Sequence, residues 1–170
     1  MPFAKSISIV AALAWAAAAP PATAHGTGQH ARPAAALKDQ KPWGIAGDDK
    51  PGLRTIEIRM TDDMRFMPDR IQVRQGETVR FVVRNEGRML HEMVIGSKAH
   101  LDEHAALMLK FPDMEHDEPD MTHVNPGGNG RIVWNFNRPG EFQFACLVAG
   151  HYQAGMIGAI QVKPVKTRGK

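Results

Sequence analysis

The only cysteine of this 170-residue chain lies in Phe144-Ala-Cys146-Leu-Val-Ala-Gly150-His151-Tyr-Gln-Ala-Gly155-Met156, where a histidine and then a methionine follow at intervals of five residues. Thiolate, imidazole and thioether are soft-to-borderline donors, and together they suit copper better than other common metals. A trigonal copper–thiolate site takes two histidines and one cysteine with a weak axial methionine, so a second imidazole must come from elsewhere. His91, in Met89-Leu-His91-Glu-Met-Val-Ile95, is the candidate. Zinc is the competing metal, because imidazole and thiolate bind it too, yet structural zinc takes four strong ligands and catalytic zinc keeps an open water position. A metal-free cysteine serving as a small buried hydrophobe is the other alternative.

The elements around these residues must bring them to one point. Phe142, Phe144 and Cys146 share a parity, so a strand here turns them to one face and Glu141 and Gln143 to the other. Gly150 and Gly155 allow the following loop to bend back, returning His151 and Met156 toward Cys146. Ile157-Gly-Ala-Ile160-Gln-Val162-Lys then reads as a closing strand. Upstream, Arg54–Met60, Arg70–Arg74, Thr78–Arg84 and Arg131–Phe136 alternate as strands, with a turn at Gln75-Gly76-Glu77 and another through Asn137 to Gly140. His100–Lys110 is the one helical interval. Many short strands separated by turn signals favour an all-β sandwich.

These residues resemble a cupredoxin, the plastocyanin and azurin superfamily of type 1 copper proteins. The resemblance rests on His91 followed by Cys-x4-His-x4-Met, the Phe-x-Phe-x-Cys strand and the Pro139-Gly140-Glu141-Phe142 turn, and it covers roughly Leu53 to Lys163. It implies a Greek-key β-sandwich with a short helical insertion, and copper, cycling between Cu(I) and Cu(II), held by His91, Cys146, His151 and Met156. The Cys-Leu-Val-Ala-Gly-His-Tyr-Gln-Ala-Gly-Met run is most similar to single-domain periplasmic cupredoxins of copper tolerance, and its spacing is also that of rusticyanin-like electron carriers. One departure is Glu92, where many plastocyanin- and azurin-type members carry asparagine, which alters the hydrogen bonding behind the ligands.

Outside the domain, Lys5, an apolar run and Ala22-Thr23-Ala24 read as a secretory signal over 1–24, cleaved after Ala24 to export the chain to a periplasm. The run is too short and too rich in small residues for a membrane span, an uncleaved anchor being the competing reading. Residues 25–52 read as a flexible N-terminal arm or a loose wrap over the domain, 53–163 as the cupredoxin domain and 164–170 as a basic tail. The chain carries 21 basic and 18 acidic residues, and loss of Lys5 leaves 20 against 18, a balance that gives no case for nucleic acid.

Further donors lie elsewhere. Cleavage would expose His25, whose terminal amine and imidazole could chelate copper with His30 five residues on. The loop Phe111–Gly130 holds Met114, His116, Met121 and His123 among five carboxylates, a second accessory candidate whose alternative is a solvated acidic surface. His100 and His104, four apart on one helical face, form a weaker candidate. A dinuclear copper centre needs two cysteines, multicopper oxidases need several such domains, and no nucleophile–base arrangement stands out, so no enzymatic activity is expected. The favoured reading is periplasmic copper tolerance or handling around a redox-active centre. The alternative is an electron carrier serving a cytochrome or oxidase.

Overall fold

The computed structural model describes residues 38–114 and 116–165. The signal 1–24, His25, His30, the first part of the arm and the tail beyond 165 lie outside the described residues. The eleven elements are β1 (Ile45–Ala46), β2 (Arg54–Thr61), β3 (Arg65–Met67), β4 (Arg70–Arg74), β5 (Thr78–Asn85), β6 (His91–Gly96), α1 (Lys98–Lys110), β7 (Met121–Val124), β8 (Asn129–Asn135), β9 (Gly140–Ala145) and β10 (Ile157–Lys163).

They form two five-stranded sheets, one in the order β1-β8-β5-β2-β3 and the other β4-β10-β9-β6-β7. Neighbours are antiparallel except β2 with β5 and β4 with β10, which run parallel. The alternation legible in the sequence is the alternation of burial: β5 turns Val79, Phe81 and Val83 inward, and β10 turns Ile160 and Val162 inward. Between the sheets these side chains meet Ile58, Phe66, Ile132, Trp134, Phe136 and Phe144 in one apolar core. Phe66 and Phe144 stack edge to face at 4.9 Å, tying the two sheets together. The result is the all-β sandwich with one helix that the sequence implies.

Strand β6 is buried along its whole length because it is covered on both sides. Met93 and Ile95 enter the main core, whereas Val94 faces a second cluster formed with Leu101, Ala105 and Met108 of α1, Met121, Ala145 and Leu147. α1 is started by Ser97, whose side chain accepts the His100 N–H at 3.2 Å, and it is held down by Leu101, Ala105 and Met108 at helical spacing. Burying Leu101 and Met108 contributes roughly 1.5–3 kcal/mol each, more than the helix's own propensity supplies.

Two sequence expectations are refined. Of the two readings of the segment from 38 to 52, a free arm or a wrap over the domain, the described residues take the second, more tightly than expected: Trp43 is buried, its Nε1 donates to Asp120 Oδ2 at 2.9 Å, and its carbonyl accepts Trp134 Nε1 at 3.0 Å. Ile45 and Ala46 pair with Asn135 and Trp134, so the Gly-, Pro- and Asp-rich composition around Trp43 masks an edge strand with an aromatic anchor. The stretch Phe111–Gly130, read as loop, contains β7 and the start of β8; β7 is four residues long and too short to show a period.

Candidate metal centre

Three of the expected ligands converge. β6 opens with His91 on the face that enters the main core, and Cys146 follows directly on β9, the strand hydrogen-bonded to β6. Both are fully buried. From Cys146 the chain makes a tight loop closed by His151 N–H to Val148 O at 2.9 Å and Met156 N–H to His151 O at 3.1 Å. Gly150 and Gly155 take φ of 90° and 87°, the left-handed backbone that this loop requires. The Cys146 N–H then reaches the Met156 carbonyl at 3.1 Å, so cysteine, second histidine and methionine are stitched into one unit by the backbone.

The donor atoms point at a common volume. His151 Nδ1 lies 3.3 Å and His91 Nδ1 3.9 Å from Cys146 Sγ, and the three donor atoms lie within 4.8 Å of one another. A metal with bonds of about 2.3 Å to thiolate and about 2.05 Å to imidazole, at angles between tetrahedral and trigonal, places sulfur and nitrogen about 3.5–3.8 Å apart. The measured separations bracket that range, so the donor set fits a metal ion with little movement. The two imidazole rings sit 4.9 Å apart at 51°. Met156 is fully buried and belongs to the same main core cluster as Cys146.

Groups behind the ligands fix their orientation. His91 Nε2 lies 3.1 Å from Asp62 Oδ1, which leaves Nδ1 to face the sulfur. Asp62 also accepts the N–H groups of Arg88 at 2.8 Å and Met89 at 3.3 Å. The Arg88 N–H is the main influence holding its carboxyl below the usual range; desolvation opposes, and His91 and Met89 add to the lowering. A Cβ on Gly87 would lie 2.0 Å from Asp62 Oδ1, so glycine there lets the loop close on this carboxylate. Burial pushes the Cys146 thiol up to about 12, partly offset by the N–H groups of Glu92 and Val148 that approach the sulfur. The Glu92 N–H lies 3.4 Å from Sγ. Burial, and next the neighbouring His91, lower the pKa of His151, which keeps its imidazole neutral and ready to bind a metal.

Comparison with known proteins assigns this geometry. The model of the copper-binding proteins of the plastocyanin/azurin family matches residues 55–163. The chain belongs to that family. Copper is accordingly its cofactor. A copper-resistant cuproprotein CopI from Rubrivivax gelatinosus is 48% identical over 122 residues, which cover 72% of this chain and 74% of that protein. The CopI of Pseudomonas aeruginosa is 36% identical over 140 residues, 65% of this chain and 77% of its own length. Among solved structures, auracyanin A, a "blue" copper protein from Chloroflexus aurantiacus, superposes with a TM-score of 0.57 at 22% identity, covering 66% of this chain and all of that one, a likeness of fold.

The accessory candidates separate. Met121 is buried in the second apolar cluster, and Met114 is exposed. His123 stands opposite Glu92 in the β6–β7 register, its Nε2 2.8 Å from Glu92 Oε2 but turned off the line of a good hydrogen bond. His116 packs against His104 of α1 at 4.6 Å. Sequence reasoning missed Asp62, which sits in the turn after β2 with nothing local to mark it, and Asn85, whose buried amide donates to Met89 O at 2.7 Å and Val124 O at 2.8 Å and braces the approach to His91.

Proposed function

We propose that this protein is an exported, periplasmic copper-resistance cuproprotein with a type 1 centre, a binding and redox protein rather than an enzyme. The observation that carries the proposal is the buried His91–Cys146–His151 cluster, set within 4.8 Å in a plastocyanin/azurin-family domain whose relatives include copper-resistant cuproproteins. Export is supported by the apolar stretch between Lys5 and Ala24. Among the described residues no helix is long and apolar enough to cross a membrane.

In this reading His91, Cys146 and His151, together with Met156, would hold the copper. Copper bound there would supply one-electron exchange between Cu(I) and Cu(II). Asp62 holds the His91 ring with Nδ1 toward the sulfur. The N–H groups of Glu92 and Val148 stabilise negative charge on Cys146. The surrounding apolar core limits rearrangement of the donors.

Deletion of the gene should make cells copper-sensitive, and the parent gene but not its Cys146→Ala variant should restore growth in excess copper. Full rescue by Cys146→Ala would refute the proposal. A second reading, electron transfer to a cytochrome or oxidase, is favoured by Met89 and Leu90, each 41% exposed and directly preceding ligand His91. It requires a respiratory defect in the deletion strain at low copper, whereas the resistance reading requires normal respiration there.

A further inference from the structure

The imidazole of His104 on α1 and that of His116 beyond the helix lie 4.6 Å apart at 53°. The two imidazoles of the copper centre lie 4.9 Å apart at 51°. Two histidines from different elements therefore share the ring separation and tilt of the pair at the copper centre, at a place with no cysteine. His116 Nδ1 lies 3.1 Å from its near neighbour Met114 O. A hydrogen bond there places the proton on Nδ1 and leaves Nε2 as the electron-pair donor, the usual state of a metal-binding histidine. That Nε2 is shut off from solvent and has no hydrogen-bond partner, a loss that a buried polar atom does not bear without compensation.

The surroundings fit a cation. His100 and His123 flank the pair, their rings 5.9 Å from His104 and 5.8 Å from His116 respectively. The same cleft is lined by Met114, by the carboxylate of Glu103 and by that of Glu118, which lies 4.0 Å from Lys41 Nζ at the cleft's edge. Burial, and then the adjacent His116, lower the pKa of His104, which favours its uncharged, electron-pair-donating form. Two imidazoles beside a thioether suit a borderline metal, and among first-row divalent ions copper binds such donors most strongly.

We propose that His104 and His116 form a second, mononuclear copper site, distinct from the Cys146 centre and completed by water or by the Met114 thioether of the same cleft. The inference rests on the copper-binding assignment only for the choice of ion. The site joins one donor from the helix to one from the chain leading into β7, residues that the sequence places in two separate candidates.

The test uses the full, correctly processed protein with the Cys146 centre already filled with one equivalent of copper. Further Cu(II) is then titrated against a competing chelator, with paramagnetic resonance reading nitrogen coupling at the added ion. The parent should bind one more equivalent than His104→Ala or His116→Ala, while the thiolate-to-copper band stays unchanged in all three. Any site at His25 and His30 is common to parent and variants and cancels in the difference. His116→Gln, in irregular chain, serves if His104→Ala loses the band through misfolding. Equal copper uptake by the parent and His116→Gln would overturn the site, as would Zn(II) filling it in preference to Cu(II) at equal concentrations. The unchanged band separates this failure from a failure of the type 1 assignment.

Discussion

Asp62 is the residue through which the ligand geometry is most sharply tested without touching a ligand. Its Oδ1 faces His91 Nε2 at 3.1 Å and Met89 N at 3.3 Å, and its Oδ2 faces Arg88 N at 2.8 Å. All these partners are, or can be, donors, so the position needs an acceptor at both ends. Asp62→Asn keeps the shape but puts an NH2 group at one end. If the amide faces Arg88, two donors collide; if it faces His91, the imidazole must take the other tautomer and direct a proton from Nδ1 at the sulfur. Asp62→Ala removes both acceptors and leaves Nε2 to water. Loss of such a supporting partner usually costs 10–100-fold in metal affinity, and because His91 is fully buried the expectation is the upper part of that range for Asn, about 100-fold, and about 10-fold for Ala. Chelator-competition titration of Cu(II), followed by the visible band, measures it. If both variants bind copper within about threefold of the parent, Asp62 does not set the His91 tautomer and the reasoning fails.

Copper uptake should expel the thiol proton, because burial holds Cys146 near 12 in the metal-free protein. The apparent affinity should therefore rise about tenfold per pH unit from roughly pH 6.5 to 8.5, and a flat profile would contradict it. Met156→Leu should retain copper but raise the reduction potential, since the axial donor tunes it; complete copper loss would show that Met156 is more than a weak ligand. Trp43→Ala should cost about 3–5 kcal/mol of stability and lower Tm by on the order of 10 °C or more, measured by thermal unfolding of the full chain. A shift of a degree or two would mean that the 38–52 segment is, after all, dispensable.

The parts of the fold that the sequence reveals are those with one wet face. β2, β4, β5, β8 and β10 alternate apolar and polar residues because one side meets the core and the other meets water. β6 hides because the second cluster under α1 covers its other face, which erases the period, and β1 and β7 are too short to carry one. The metal centre was legible for a different reason. Cys146 and His151 lie five residues apart in one loop, with Met156 five further on, and these types seldom gather without a metal. Asp62 and the His104–His116 pair were not legible as partners, since their meeting is decided by how strand, helix and loop pack, which no local spacing encodes.

Glu92 shows how the two faces of β6 are linked. Successive residues of a strand point to opposite sides, so His91 enters the main core and Glu92 the α1 side, one residue apart. The main-chain N–H of Glu92 approaches Cys146 Sγ, while its side-chain Oε1 accepts the N–H of Leu147, the residue after the cysteine, at 2.7 Å. One residue thus grips the thiolate's segment at two adjacent points. The asparagine of many family members is a methylene shorter and ends in an amide, so it could not offer two acceptor oxygens at this reach. A carboxyl that is 1% exposed is costly unless both oxygens are met; Oε2 has no hydrogen bond, and its nearest cationic candidate is His123, directly across on β7 at 2.8 Å, an ion pair when that imidazole is protonated. The His123 ring in turn neighbours His116. The departure from asparagine thus places a carboxylate opposite a histidine on the facing strand, between the copper loop and the imidazoles of His116 and His104.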